Sequence, residues 1–186
     1  RGVETLDKIR KNPGPLKRLA VKIEMDLPHY WLDQDENLIL CGKVDWLEYL
    51  EGEDAVHIID FKTGQDHKEN ADSLQLPIYH LLVKNCQKRD VSGASYWYIE
   101  QSDEPVEKTL PSLEESHEQV MKIAKKVKLA RQLENFECPN GEDGCHVCRP
   151  YEKIVDGQGE YVYTDDIRRD VYILPNDDVN REGTIL

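Results

Sequence analysis

Two stretches decide how this chain reads: Gly42-Lys43-Val44-Asp45, and then Ile58-Ile59-Asp60-Phe61-Lys62-Thr63-Gly64. The first closes an apolar extended run with an aspartate, and the second closes another with Asp-x-Lys. Side chains two residues apart in a strand share a face, so Asp60 and Lys62 project together. Two carboxylates at the ends of neighbouring strands can converge on one hard cation such as Mg²⁺ or Mn²⁺. Such a cation polarises a phosphoryl oxygen and lowers the pKa of a bound water. Lys62 then stands where it can offset charge developing on phosphorus or orient the attacking water. The peptide carbonyl of Phe61, between the two, is a further candidate metal ligand. The pairing suits phosphodiester hydrolysis.

Working outward, Leu19 to Trp31 alternates apolar and polar residues at Val21, Ile23, Met25 and Leu27, a period of two that predicts a half-buried strand. Asp33 to Asn37 is a polar turn, and Leu38 to Leu50 resumes extended character with Gly42 in its middle. Ala55 to Lys62 has the β-branched density of a sheet centre. Apolar residues at Leu74, Ile78, Leu81 and Leu82 predict a helix over Asp72 to Val83, capped by Asp72 or Ser73, with Pro77 in its first turn or at a kink. Gly93 to Glu100 and Val106 to Leu110 read as strands. Leu113 to Leu133 reads as a long amphipathic helix entered through Pro111-Ser112, with Glu114 and Glu115 in its first turn. Strands, helix, strands, helix make an α/β fold around one central mixed sheet flanked by helices.

With 186 residues, one domain spanning 1–186 is expected, its core at about 19–133 and a cysteine-containing turn and tail at 134–186. No apolar run reaches the ~20 residues of a membrane helix. No secretory leader is recognisable, and five cysteines, an odd number, argue against a secreted disulfide framework. A cytoplasmic protein with no membrane partner is expected. The chain opens at Arg1 without a methionine, which points to a piece of something longer. Its net charge of −13 has the wrong sign for gripping nucleic acid by counterion release, so local cations, bound metal or a neighbouring domain must handle phosphates. Basic residues cluster at Lys8 to Arg18 and Lys122 to Arg131, the second reading best as a solvated helix face.

Each residue also has an ordinary explanation. A strand-end aspartate is commonly a turn residue, and a strand lysine a solvated edge charge. Their conjunction is harder to dismiss, because the following helix carries Gln75 and Tyr79 on one face at i and i+4. Gly42-Lys43-Val44-Asp45, Ile59-Asp60-Phe61-Lys62-Thr63-Gly64 and Gln75-Leu76-Pro77-Ile78-Tyr79 together closely resemble the PD-(D/E)XK nuclease superfamily. Within it they resemble the RecB-like branch, found in RecB and AddB nuclease domains and in CRISPR-associated adaptation nucleases. The motifs cover Leu40 to Leu82, and the order of elements extends the likeness to about Leu133. The resemblance implies a restriction-endonuclease-like core, with Asp45 and Asp60 as metal ligands, Lys62 as the catalytic lysine, and Gln75 and Tyr79 as substrate-side or lysine-positioning groups.

The chain departs from that branch in two respects. RecB-type nucleases place a metal-binding histidine on a helix upstream of the first strand, and Arg1 to Ala20 contains none. His29 reads as a loop residue, and Glu24 is an alternative donor that more often lies on an exposed face. The second departure is Cys138, Cys145 and Cys148, which stand where iron-sulfur members carry clustered cysteines, but with a different spacing and no cysteine upstream of Cys41. Cys41 and Cys86 are not obvious fourth ligands, and His146 adjoins Cys145 too closely to share a zinc ion readily. Zinc, an iron-sulfur cluster and three packed thiols all stay open.

The leading expectation is a Mg²⁺- or Mn²⁺-dependent deoxyribonuclease, exonuclease rather than endonuclease. Its substrate would be single-stranded DNA or duplex ends, and it would serve as the nuclease module of a helicase-nuclease or a DNA repair or recombination system. The alternative is a catalytically inactive RecB-like domain that guides DNA or holds a complex together. Trp31, Trp46 and Trp97 are candidates for stacking on bases.

Overall fold

The computed structural model describes residues 2–63, 73–136, 138, 141 and 144–175. They fall into two compact units, Arg1–Leu129 and Ala130–Leu186.

The first unit is organised by a four-stranded sheet in the order β3-β4-β5-β6: β3 Trp46–Leu50, β4 Ala55–Lys62, β5 Asp90–Tyr98 and β6 Val106–Lys108. β4 lies at its centre, with Val56 and Ile58 fully buried, as the β-branched run predicts. The pairings β3–β4 and β5–β6 are antiparallel and β4–β5 is parallel, so the sheet is mixed. A parallel pair needs a crossover connection, and helix α2, Gln75–Cys86, lies in it. Pro77 falls in the first turn of α2, where the absence of its N–H costs nothing. Ser73 Oγ accepts the Gln75 N–H at 3.4 Å; Asp72, the other cap candidate, lies outside the described residues.

Alternation along β4 sends its side chains to two cores. Val56 and Ile58 pack with Leu76 and Val83 of α2 and with Ala94, Tyr96 and Tyr98 of β5. Ile59 packs on the other face with Trp97, Ile99, Ile9 and Leu16. Ile9 belongs to helix α1, Gly2–Lys11, and Leu16 to a 3₁₀ turn, Gly14–Lys17. Neither element was expected: Lys8 to Arg18 reads in sequence only as a basic cluster. A third cluster joins Leu81 of α2 and Val120 of helix α3, Leu113–Gln132, to Leu32 of a hairpin, β1 His29–Asp33 with β2 Leu38–Cys41. Ser112 and Glu115 cap α3 reciprocally, Glu115 N–H to Ser112 Oγ at 3.1 Å and Ser112 N–H to Glu115 Oε2 at 2.8 Å, the capping box the sequence indicates. Lys122, Lys125 and Lys126 are exposed on α3, a solvated face.

Two extended predictions are corrected. Leu19 to Trp31 is not one strand. Ala20 bridges Glu48 beside β3, the chain then leaves the sheet, and regular strand begins only at His29. Leu38 to Leu50 is broken into β2 and β3 at Gly42 to Asp45. There Gly42 passes so close to α2 that a Cβ would stand 3.0 Å from Leu82 Cδ1, and its N–H is taken by the Pro28 carbonyl at 3.0 Å.

In the second unit, the short helix α4, Arg149–Val155, was not foreseen. Two further strands form a hairpin of their own, β7 Glu160–Thr164 with β8 Asp170–Ile173.

Candidate active site

β4 carries Asp60 and Lys62 at its carboxyl end, on the face that α2 covers. Asp60 is 2 % exposed and Lys62 about a third exposed, so the pair forms a buried carboxylate with an ammonium at the rim. Lys62 Nζ is 2.7 Å from Asp60 Oδ2. That oxygen is buried and accepts no well-directed hydrogen bond, which leaves an ion pair as its compensation.

α2 supplies the rest from one face, as the i, i+4 spacing predicts. Gln75 Nε2 donates to Asp60 Oδ1 at 2.6 Å, while Gln75 Oε1 accepts from Lys62 Nζ at 2.5 Å. Tyr79 Oη lies 3.3 Å from both Asp60 Oδ1 and Gln75 Nε2. Burial pushes the Tyr79 phenol up to about 12, so it stays a neutral donor across the physiological range. Burial also raises the Asp60 carboxyl above its ordinary value, against the opposing pull of Lys62. Lys62 Nζ further lies 4.7 Å from the ring centroid of Tyr96 on β5, a cation–π contact. Tyr96 was missed as a site residue; its register opposite Asp60 is a parallel pairing that no local sequence signal gives.

Asp45 stands exposed just before β3 and accepts the Phe61 N–H through Oδ2 at 2.9 Å. Lys62 turns its carbonyl to β5, where Ile99 N–H reaches it at 3.2 Å. Backbone groups of successive strand residues point to opposite edges, so the Phe61 carbonyl faces the edge where Asp45 stands. The five residues anticipated from sequence and the Phe61 carbonyl therefore gather at one end of the sheet.

This donor set suits a divalent cation: a buried carboxylate with an incompletely satisfied oxygen, an exposed carboxylate, and a backbone carbonyl, all hard oxygen ligands. Among the described residues no group of three or more His, Cys, Asp or Glu side chains is placed to hold a metal. Glu24 is exposed, and His29 Nδ1 is engaged with the Leu27 carbonyl at 2.8 Å.

The residues 2–153 match the family model of the PD-(D/E)XK nuclease superfamily. The chain belongs to the PD-(D/E)XK nuclease superfamily. The mixed sheet flanked by helices is a restriction-endonuclease-like core. Membership in this nuclease superfamily implies divalent-metal chemistry and nucleic acid as the partner. No curated protein and no solved structure shows a significant match to the chain. Among the described residues, no helix is long and apolar enough to cross a membrane.

Of the tryptophans, Trp97 is core and only 1 % exposed. Trp46 is half-buried, 6.5 Å from Phe61 between ring centroids, and Trp31 stands largely exposed on β1. In the second unit, the Cys145 thiol is held below its ordinary pKa first by hydrogen bonding to Cys148, then by the Val147 N–H and the Cys138 thiol. All five cysteines are free thiols.

Proposed function

We propose that the chain is a Mg²⁺- or Mn²⁺-dependent deoxyribonuclease of the RecB-like branch, acting on DNA ends as an exonuclease within a helicase-nuclease or repair system. A single observation carries this reading: Asp60, Lys62, Gln75 and Tyr79 form one hydrogen-bonded network beside Asp45 at the end of the sheet. A network so placed constrains a lysine and a carboxylate together, which a solvated edge charge does not require.

In this reading Asp45, Asp60 and the Phe61 carbonyl hold the cation. The bound metal supplies Lewis acidity and a water of lowered pKa. Lys62 places positive charge beside the scissile phosphate. Gln75 fixes the Lys62 ammonium and Asp60 in one arrangement, and Tyr79 donates to Asp60 Oδ1. Five free thiols accord with a cytoplasmic setting. Cys138, Cys145 and Cys148 are not placed as a metal-holding group among the described residues, so zinc or an iron-sulfur cluster there rests on the cysteine spacing alone; zinc and iron content of the purified protein tests it.

One observation favours the alternative of a catalytically inactive, DNA-guiding RecB-like domain: no third acidic or histidine side chain joins Asp45 and Asp60 among the described residues. Metal-dependent hydrolysis of DNA by the wild type, lost in Asp60→Ala, supports the enzyme; binding without hydrolysis supports the inactive domain.

A further inference from the structure

Between Ala20 and Pro28 the chain leaves the edge of the sheet and returns. At one end it is pinned by the Ala20–Glu48 bridge and by Val21 N–H to the Leu47 carbonyl at 2.9 Å. At the other, Gly42 N–H holds the Pro28 carbonyl at 3.0 Å. The intervening residues, which alternate as a strand would, do not pair with the sheet. They leave a slot of about 400 Å³ between themselves and residues 43–47.

The lining of this slot is informative. Asp45 lies in it, so it opens onto the candidate metal ligands. Lys22 stands on one wall and Lys43 on the other, both exposed, while Met25 and Trp46 contribute apolar surface. In a chain of net charge −13, Lys22 and Lys43 balance Asp26 and Asp45, so the slot lacks the negative excess of the chain as a whole.

We propose that this slot receives one nucleoside unit of a single strand, next to the phosphate that is cut, its base against the apolar lining and its neighbouring phosphates against Lys22 and Lys43. The inference rests on the nuclease reading above and names the substrate form: an unpaired strand or a frayed end, not an intact duplex. A pocket of a few hundred Å³ encloses one small-molecule-sized group, the scale of a nucleoside and not of a duplex turn. Alternating cations and apolar surface are what a single strand meets elsewhere, phosphates on the charges and bases on the side-chain faces. Asp26, also in the slot, can accept a hydrogen bond from a base amino group or a sugar hydroxyl.

The test is fluorescence anisotropy of a labelled short oligothymidylate with the whole chain, Ca²⁺ replacing Mg²⁺ to hold back cleavage. The double variant Lys22→Ala/Lys43→Ala, at exposed positions, is expected to bind about tenfold more weakly and to lower the logarithmic salt slope by about 0.7 per lysine. Met25→Trp, which fills the slot, is expected to weaken binding comparably while leaving the far-UV spectrum unchanged. Affinity and salt slope unaltered in both variants would overturn the inference. Cleavage of the same oligonucleotide in Mg²⁺ separates the two claims. Binding that depends on the slot without cleavage keeps the slot and loses the nuclease, and cleavage indifferent to both variants keeps the nuclease and loses the slot.

Discussion

Gln75 donates to Asp60 Oδ1 at 2.6 Å while its own carbonyl oxygen accepts from the Lys62 ammonium at 2.5 Å. One amide thus joins the buried carboxylate to the cation, and its orientation is dictated by the two charges, since only a donor satisfies a carboxylate and only an acceptor an ammonium. Gln75→Ala removes both bonds without touching either charge. By comparison with supporting groups around metal ligands, cleavage is expected to fall about 10–100-fold, mainly in kcat. Gln75→Glu keeps an acceptor for Lys62 but sets a second carboxylate against Asp60, and is expected to be worse than Ala. Single-turnover rates of the three proteins check the order.

Asp60 gives a prediction on stability. Its folded-state pKa is raised from 3.8, chiefly by burial. The folded protein therefore holds this proton more tightly than the unfolded chain, and the ionised group costs stability once pH rises above 3.8 and through the folded value. Asp60→Asn keeps the shape without the charge. Its melting temperature is expected to exceed the wild type's increasingly as pH rises through that window, then by a constant amount. Each kcal/mol is worth about 2–4 °C in a chain of this size. Mg²⁺ reverses the order at neutral pH: at a hundredfold excess over its Kd it stabilises the wild type by about 2.7 kcal/mol and Asp60→Asn hardly at all. Thermal scans at several pH values, with and without Mg²⁺, measure both effects.

Gly42 offers a third test, independent of charge. An added Cβ would stand 3.0 Å from Leu82 Cδ1, and Leu82 is fully buried, so it has little room to retreat. Gly42→Ala is expected to cost about 1–3 kcal/mol, the range for overpacking a filled core. Gly42→Ala combined with Leu82→Val should cost less than the sum of the single changes if the contact is the cause. Denaturant midpoints of the four proteins decide it.

The part of the fold that was legible in the sequence is the part written in local pattern. The apolar, β-branched run Ala55 to Lys62 became β4 with the limits read from it. Ser112 and Glu115 announced the start of α3, and the i, i+4 spacing of Gln75 and Tyr79 put both on one face toward Asp60. The failures have one physical origin, in that they depend on what a segment packs against. Leu19 to Trp31 has a strand's alternation, but only its two ends find partners, at Glu48 and Gly42. α1 spaces Val3, Leu6 and Ile9 three apart, but it is a short helix with no fully buried residue, and Ile9 gains its place only by packing with Ile59 and Trp97. Tyr96 entered the site through a parallel register with Asp60, which joins distant parts of the chain. The grouping of Asp60, Lys62, Gln75 and Tyr79 was legible because they sit at a strand end and in one helical turn.

The most direct measurement is cleavage of end-labelled single- and double-stranded DNA in Mg²⁺ or Mn²⁺ by the wild type, Asp60→Ala and Lys62→Ala, each with and without EDTA. The account predicts cleavage by the wild type that EDTA abolishes and that falls at least about 100-fold in both variants, as removal of a preorganised electrostatic group requires. Cleavage that persists in both variants, or a wild type that binds DNA and never cuts it with either metal, would contradict it.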